Sequence, residues 1–455
     1  MKTGLSLGGV GASLVLAGQA HAADAVATIN SGDTAWVLMA TALVLLMTPG
    51  LAFFYGGMVR TKNVTSTLFQ SFIALSVVGV VWCIAGYSLA FSGKESGFIG
   101  SLSWAFLNGV GQAPNPDYSA TIPHLLFMAF QAMFAIITPA LITGAIAERI
   151  NFKSWIAFSA LWSLLVYSPV AHWVWGVGGW IRNMGGLDFA GGMVVHMTAG
   201  FSALVATLML GKRSDFGKVE ARPYDAGMIL LGTGLLWFGW FGFNAGSALA
   251  ANGLAAQAFV TTFLGAAGAG LAWTVVDTLL KGKPSAIGFG IGVVAGLVAI
   301  TPACGFVSTG SALLIGLLAG SICNFAAVAV KEKFKLDDTL DVFACHGVGG
   351  TLGTILTGVF ASKAVNEAGA DGLLAGSFAT LNANLAGAAT VAVFSALGTF
   401  VIIKGISLFS NMRVSAGEEG AGLDVSQHGE VINTGIVGET ATVSAIGDSK
   451  KKHVA

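Results

Sequence analysis

Charged residues and cysteines are both scarce in this sequence. Of 455 residues, 10% are charged and 55% are apolar, whereas about a quarter of an average soluble domain is charged. Lys and Arg balance Asp and Glu at 22 each, so no basic field favours nucleic-acid binding. The four cysteines lack disulfide or metal-ligand spacing and are expected to be small packing residues: Cys83, Cys304, Cys323 and Cys345. This composition argues against an ordinary soluble domain.

Long apolar runs fill most of the chain. We predict eleven membrane spans, because each run is about as long as a helix needs to cross a bilayer. They lie near residues 34–56, 65–91, 122–147, 152–175, 191–210, 226–248, 255–280, 286–302, 310–330, 341–361 and 381–409. The run at 286–302 is the shortest. The 64 glycines are spread through these runs, as expected where helices pack closely in lipid.

The first 22 residues have the pattern of a signal peptide. Lys2 precedes an apolar run, and Ala20 to Ala22 form an A-x-A cleavage site. The run is shorter than the roughly 20 residues that a spanning helix needs. We therefore expect the mature chain to begin near Ala23, outside the cytoplasm.

Lys and Arg are distributed unevenly between the two sets of loops. With the mature N-terminus outside, the outer loops carry only Lys94, Arg182 and Lys363, and all the other loop cations are inside. Because Lys and Arg accumulate in cytoplasmic loops, this asymmetry predicts a multi-pass protein of the inner (plasma) membrane. Residues 412–455, which have no apolar period, are then a cytoplasmic C-terminal tail.

Eleven spans divide into five, five and one. Two five-helix halves, at about 34–210 and 226–361, would have opposite topology, which is the inverted-repeat plan of many transporters. The span at 381–409 is then an extra helix, and residues 23–411 form one eleven-helix domain. His196 on the fifth span and His346 on the tenth occupy equivalent positions in the two halves. The predicted fold is an all-α membrane protein.

The two histidines lie deep inside their predicted spans. An ionisable side chain that faces lipid costs about 3 kcal/mol or more, so we expect both to face the bundle interior. The helical rise places His196 roughly 12 Å beyond Asp188 and His346 roughly 8 Å beyond Asp341. Across a core of about 30 Å the rings can meet only if one helix is broken or one aspartate is buried. The glycines that follow His346 offer a place for a break.

Two imidazoles between apolar walls restrict what could pass. A bare cation is a poor candidate, because transfer into low dielectric costs on the order of 20 kcal/mol and no filter sequence replaces its water. A small neutral molecule fits better, and so does a cation that can leave its proton on a histidine. Ammonium is the smallest physiological ion of that kind. The alternative for each histidine is a packed, hydrogen-bonded core residue.

Aromatic residues near the outer span ends could attract a cation. Phe130 and Phe134 lie on one face of the third span, and Trp175 ends the fourth. Ser247 ends the sixth span, one turn after Phe243. Cation–π contacts contribute about 0.5–2 kcal/mol each, and a hydroxyl adds a hydrogen bond. Core packing and the interfacial aromatic belt are the alternatives.

Three further polar residues lie near the outer ends of spans. Asp188 precedes the fifth span and is predicted to be its N-cap, and its charge would also raise the local cation concentration. His124 and His172 are expected at the membrane interface.

Together these stretches resemble the ammonium transporter family (Amt/Mep/Rh), and closely its bacterial Amt members. The matching motifs extend from about residue 34 to 430 and are 48–57 (TPGLAFFYGG), 144–149 (GAIAER), 171–176 (AHWVWG), 188–196 (DFAGGMVVH), 240–247 (WFGFNAGS), 301–305 (TPACG), 341–347 (DVFACHG) and 422–430 (GLDVSQHGE). The resemblance implies eleven helices in two inverted halves, a homotrimer with one pore per subunit, and a tail that contacts the cytoplasm-facing loops and a PII-type regulator. We expect no enzymatic activity and no cofactor.

The resemblance also implies roles for individual residues. Trp175, Phe134 and Ser247 would form an outer ammonium recruitment site, and Phe134 with Phe130 and Phe243 an aromatic constriction. His196 and His346 match the twin histidines of the family, and Asp188 its essential acidic position.

The predicted function is ammonium transport for nitrogen uptake, with methylammonium as an analogue. Ammonium would lose its proton near the aromatic constriction, and ammonia would pass the histidines while the proton moves separately. One alternative is a membrane ammonium sensor that signals through the tail. Others are a channel for urea or water, and a redox enzyme with the histidines as haem ligands, for which the sequence offers no electron-partner site.

Overall fold

The computed structural model describes residues 28–219, 222–430 and 432. The predicted signal peptide at 1–22 and most of the tail after residue 430 lie outside the described residues. Helices account for most of what is described. A short hairpin of Pro114–Asn115 and Ser119–Pro123 lies between the second and third long helices.

Eleven long helices follow one another along the chain, and we number them in order. They are α1 (Ser31–Met58), α2 (Thr61–Phe91), α3 (His124–Ile146), α4 (152–175), α5 (Gly192–Leu210), α6 (Ala226–Gly246), α7 (Gly253–Lys281), α8 (Ala286–Ile300), α9 (Thr309–Lys333), α10 (Phe343–Phe360) and α11 (Ala379–Ser407). Among the described residues, ten helices are long and apolar enough to cross a membrane, and α8 is the shorter eleventh. This agrees with the predicted all-α fold and with the short eighth span.

Packing brings corresponding helices of the two halves together. α1 packs along α6, the first helix of each half, and α5 contacts α10, the last helix of each half. α7, α8 and α9 form a tight group, and α11 packs against α5 and α10. The last helices of the two halves, which carry His196 and His346, are therefore neighbours.

Both α5 and α10 begin with a wide π turn rather than a regular α turn. The π turns are Gly192–Met197 and Phe343–Val348, and each contains one of the two histidines. π turns are often found at functional sites, because they change the direction of a side chain without ending the helix. No sequence pattern used above predicts them.

α10 continues through its glycines without the break that the sequence suggested. The helix runs from the π turn directly into Gly349–Phe360. The glycines instead permit close approach between helices: a Cβ atom on Gly200 of α5 would lie 2.1 Å from the backbone nitrogen of Gly347. That distance is far inside van der Waals contact, so α5 and α10 can cross here only without side chains. The break hypothesis is therefore wrong.

The described part of the tail docks on the loops at one end of the bundle. The carboxylate of Asp424 accepts hydrogen bonds from the backbone N–H groups of Thr65 and Ser66, at 3.0 and 2.8 Å. The Asn63 amide oxygen accepts from the backbone N–H of Leu423 at 2.8 Å. We call this end of the molecule the tail face. The predicted contact between tail and loops is present.

A second tail anchor runs through Glu419. Its carboxylate pairs with Arg413 at 2.6 Å and accepts a hydrogen bond from the backbone N–H of Ser214 at 2.7 Å. The His428 ring packs edge-on against the stacked rings of Phe69 and Phe152, with ring-centre distances of 5.4 and 4.7 Å. The tail thus contacts the first half and the loop that joins the two halves.

A buried ionic network lies beneath the tail. Glu148 bridges Arg60 and Arg213, and Arg213 pairs in turn with Asp337 at 2.8 Å. Burial alone would raise the pKa of Glu148, but the hydrogen bonds and charges of the two arginines outweigh it and bring the pKa to about 2. The network therefore stays ionised at physiological pH.

Arg149 is the most buried cation of this region, with no exposed surface. Its guanidinium donates to the backbone oxygens of Gly211, Ala147, Ala145 and Asp337 and to the Thr339 hydroxyl. Only the five-donor fork of arginine can reach such a spread of acceptors. Arg149 joins the loop after α3 to the loops after α5 and α9.

We predict that Arg149→Lys lowers the free energy of unfolding by about 2–3 kcal/mol, because at least two buried carbonyl groups lose a charged donor. Thermal unfolding of the detergent-solubilised protein measures this loss. The control is Arg182→Lys, since Arg182 is exposed and donates to one carbonyl, that of Trp175. Equal melting temperatures for the two variants would contradict the assignment.

Candidate functional site

The side chains of His196 and His346 meet in the interior of the bundle. Their Nδ1 atoms lie 3.2 Å apart, their ring centres lie 5.3 Å apart, and the two residues are 1% and 3% exposed. In a hydrogen bond between two Nδ1 atoms, one must carry the proton and the other must accept it. The contact therefore suits two neutral rings of opposite tautomer, or a pair that shares an additional proton. The Nε2 atom of His196 has no partner.

An aspartate eight residues before each histidine holds the start of its π turn. The Asp188 carboxylate accepts from the backbone N–H groups of Gly191, Gly192, Met193 and Val194 at 2.6–3.2 Å. The Asp338 carboxylate accepts from those of Val342 and Phe343 at 3.1 and 2.8 Å. The Asp188 side chain therefore caps the start of α5, although Gly191 rather than Asp188 occupies the N-cap position.

The second cap corrects the sequence analysis, which used Asp341 as the counterpart of Asp188. Asp341 pairs with Lys331 at 2.8 Å instead, and Asp338 takes the equivalent place. The backbone repeats the correspondence three residues after each cap, where Gly191 and Asp341 have φ of 125° and 59°. Burial and the neighbouring Asp341 charge raise the pKa of Asp338 to about 6.

These caps explain how the rings meet without a broken helix. Asp188 is 7% exposed and Asp341 is 9% exposed, so both are buried within the protein. Of the two ways in which the sequence allowed the rings to meet, a broken helix or a buried aspartate, the second is the one observed. The carboxylate charge of Asp188 is matched by four N–H donors at a helix N-terminus, which is a favourable place for an anion.

The space around the histidine pair is narrow and apolar. The cavity there measures about 10 Å³, which is about the space of one water molecule. The ring of Trp240 stacks on His196 at 5.4 Å between centres, and its Nε1 donates to the Thr301 hydroxyl at 2.8 Å. Leu51 and Val294 contribute aliphatic wall. We call this cavity, together with the two histidines, the pore.

A larger cavity of about 240 Å³ opens at the end of the bundle opposite the tail. Trp175, Phe134 and Ser247, the three residues of the predicted recruitment site, all line it. The rings of Phe134 and Trp175 are perpendicular, with centres 5.9 Å apart. The Ser247 hydroxyl donates to the Phe243 carbonyl at 2.8 Å, so its lone pairs remain to accept a hydrogen bond. We call this the outer cavity.

Two phenylalanine rings separate the outer cavity from the pore. Phe134 lines the former and Phe243 the latter, and their ring centres are 4.2 Å apart. Phe130 is fully buried and lines neither cavity. Its ring lies against Phe134 at 4.9 Å, where it supports the constriction from behind.

Asp188 also lies behind the outer cavity rather than in its lining. Its backbone carbonyl accepts a hydrogen bond from Trp175 Nε1 at 2.9 Å. One residue therefore positions the Trp175 ring through its main chain and the His196 turn through its side chain. This connection between the two sites is not visible in the sequence.

Sequence reasoning missed other residues of these cavities. Gln131 lines the outer cavity, is 9% exposed, and has no partner for its Oε1 atom. A polar residue inside an apolar run is itself a signal of function. Gln131 directly follows Phe130 in the third span. Phe189, Arg182 and Trp240 were missed as well, and no pattern distinguishes them from interfacial or core residues.

His124 and His172 are buried rather than interfacial, with exposed fractions of 5% and 0%. His124 bonds the Tyr87 hydroxyl at 2.6 Å through Nε2. His172 lies within 3.0 Å of the Ala90 carbonyl and 2.7 Å of the Ser96 carbonyl. Each has found polar partners inside the fold, which the position of a span end could not show.

Comparison with known proteins gives a consistent result. The profile of the Ammonium Transporter Family matches residues 35–432. An ammonium transporter of Bacillus subtilis is 50% identical over 402 residues, covering 88% of this chain and 98% of the relative. The ammonium transporter Amt1 of Archaeoglobus fulgidus is 46% identical and covers 89% of this chain and 100% of its own.

Solved structures agree with these sequence matches. The crystal structure of Saccharomyces cerevisiae Mep2 has a TM-score of 0.80 and 37% identity, covering 85% of this chain and 91% of that chain. A structure titled "Sensor Amt Protein" has a TM-score of 0.80 and 30% identity, covering 87% and 98%. A profile match over nearly the whole described chain, with relatives at this identity, shows that the chain belongs to the ammonium transporter family, a family of transporters rather than enzymes.

Proposed function

We propose that this protein recruits ammonium at the outer cavity, removes its proton at the phenylalanine constriction and conducts ammonia through the pore. The proton moves separately along the pair of His196 and His346. The observation that carries the proposal is the Nδ1–Nδ1 contact of 3.2 Å inside a cavity of about 10 Å³, with a larger cavity at each end of the bundle.

The outer cavity suits a small cation that donates hydrogen bonds. The Trp175 and Phe134 rings offer negative faces, and cation–π contacts contribute about 0.5–2 kcal/mol each. The Ser247 hydroxyl and the unpartnered Gln131 amide oxygen are acceptors for N–H donors. These groups favour ammonium over an apolar solute.

The constriction favours a neutral molecule over an ion. An ammonium ion that keeps its charge would enter a narrow apolar space that no carboxylate among the described residues lines, at an idealised cost on the order of 20 kcal/mol. Ammonia carries no net charge, so it avoids this cost when it passes between the two rings. Transfer of the proton from ammonium at this constriction to Nε2 of His196, whose ring centre lies 6.1 Å from that of Phe243, removes most of the barrier.

The histidine pair provides a route for that proton. Imidazole exchanges protons near neutral pH, and a ring that accepts at one nitrogen can release from the other. The unpartnered Nε2 of His196 faces the pore, and its Nδ1 contacts His346. Proton transfer through the two rings requires no continuous water column.

We further propose that the protein works as a homotrimer in the plasma membrane, with a cleaved signal peptide, the tail face in the cytoplasm and a role in nitrogen uptake. The Lys and Arg asymmetry of the loops supports this orientation. A PII-type regulator would then meet the tail face, where residues 416–428 already contact α2 and the loop that joins the two halves.

The first test is His196→Ala in proteoliposomes. We expect the charge moved per ammonium taken up to fall at least about tenfold, because the proton route loses one of its two rings. Alternatively, the current no longer follows the amount of substrate taken up. Current and methylammonium uptake are recorded together. The control is His428→Ala, which removes a histidine of the tail. An unchanged current with unchanged selectivity would contradict the role of the pair.

The second test is Trp175→Leu. We expect the half-saturating concentration for uptake to rise about 2- to 30-fold, the equivalent of one lost cation–π contact, with little change in folded yield. Trp173→Leu is the matched control, because Trp173 lies on the same helix and does not line the outer cavity. The same rise in both variants would argue against recruitment at Trp175.

A further inference from the structure

A cavity of about 260 Å³ on the tail face is not part of the pore. It lies where the end of α7, the start of α8 and the end of α9 meet, and Asp277, Gly288 and Asn324 line it. Lys331 and Asp341 line both this cavity and a cavity of about 310 Å³ around Arg213. The two spaces are therefore neighbours that share one ion pair. We call the former the Asp277 cavity.

Two buried oxygen atoms in the Asp277 cavity have no hydrogen-bond partner. Asp277 is 0% exposed; its Oδ1 accepts from Lys281 Nζ at 2.7 Å and from Asn324 Nδ2 at 3.0 Å, while its Oδ2 has no partner. Asn324 is 2% exposed, and its Oδ1 has no partner. The bond from Nδ2 to the carboxylate fixes the amide orientation, because the reverse assignment would place two acceptors face to face.

The free oxygen of Asp277 lies beside a position without a side chain. A Cβ atom on Gly288 would stand 2.2 Å from Asp277 Oδ2 and 3.0 Å from Trp273 Nε1. Any other residue at 288 would therefore collide with the carboxylate. Glycine leaves the space beside Oδ2 open to the cavity.

The unpartnered buried atoms that line this cavity are all acceptors. They are Asp277 Oδ2, Asn324 Oδ1 and Asp341 Oδ1. A buried acceptor left without a donor costs about 1–3 kcal/mol, so the cavity favours a ligand that donates several hydrogen bonds. Lys281 Nζ donates to Oδ1 of Asp277 only, so Oδ2 still lacks a donor.

Ammonium fits this chemistry better than a metal ion. It carries one positive charge and donates hydrogen bonds in four directions. Among the described residues, no group of three or more His, Cys, Asp or Glu side chains could hold a metal ion. The cavity offers separated oxygens rather than a closed carboxylate cage, which suits a weakly held monovalent cation.

We propose that the Asp277 cavity is a second ammonium-binding site, on the tail face, which holds ammonium next to the exit of the pore. The inference rests on the proposed function for the delivery of ammonium to this face. Asp341 connects the two, because it lines the cavity and immediately precedes the helix that carries His346. The site is a binding station and takes no part in proton transfer between the histidines.

The direct test uses thallium(I), a monovalent probe that is visible by anomalous scattering. Crystals of the full-length protein are soaked in a thallium salt, with and without excess ammonium chloride. We expect an anomalous peak about 3 Å from both Asp277 Oδ2 and Asn324 Oδ1, and its loss when ammonium is added. The absence of the peak, or a peak that ammonium does not displace, overturns the proposal.

A transport experiment tests the same site in function. Asp277→Asn keeps the shape of the side chain, and the protein is placed in proteoliposomes in one orientation, verified by protease access to the tail. We expect the half-saturating ammonium concentration for transport starting at the tail face to rise by about tenfold, and that for the opposite direction to stay within about twofold. Equal shifts in both directions, or none, overturn the proposal.

Glu332→Gln is the matched control for this variant. Glu332 lines the same cavity but is exposed. The substitution therefore removes one negative charge, as Asp277→Asn does, but no unpartnered buried oxygen. A shift as large as that of Asp277→Asn would show a general surface-charge effect and would overturn the proposal. If the unaltered protein carried no ammonium in either direction, the proposed function itself would fail. Normal transport without a displaceable thallium peak would reject the Asp277 cavity alone.

Discussion

The contact between His196 and His346 is the constraint on which the rest of the structure depends. Two imidazoles can share a hydrogen bond in the bundle interior only if the helices that carry them pack close together. Gly200 and Gly347 permit that approach, since a Cβ on Gly200 would fall 2.1 Å from the neighbouring backbone nitrogen. Packing in lipid has no hydrophobic driving force between helices, so close contact through small residues is the available means.

The π turns and their caps make the contact possible without breaking a helix. Each turn leaves buried N–H groups that need acceptors, and Asp188 and Asp338 supply them. Asp188 also holds Trp175 through its carbonyl, so the geometry of the outer cavity and that of the pore are set by the same residue. A substitution at Asp188 is therefore expected to disturb both sites together.

The sequence predicted the fold class and the placement of the eleven helices, because apolar runs of spanning length have few other interpretations. It also pointed to His196 and His346, since an ionisable side chain that faces lipid is costly and is therefore expected to face the bundle interior. It failed where backbone geometry decides: the π turns leave no compositional trace, and the glycines after His346 were interpreted as a break. The equal eight-residue spacing of Asp188–His196 and Asp338–His346 was readable but overlooked, because Asp341 lay closer to the helix. Contacts formed through main-chain atoms, such as Trp175 with Asp188, have no sequence signal.

The protonation of the histidine pair in a lipid bilayer tests the central claim most directly. Solid-state 15N NMR of protein labelled at histidine reports whether each Nδ1 carries a proton and whether the two atoms are close in space. The account predicts one protonated and one bare Nδ1, correlated with each other across the hydrogen bond, at neutral pH. Two protonated or two bare Nδ1 atoms, or the absence of any correlation between them, would contradict it.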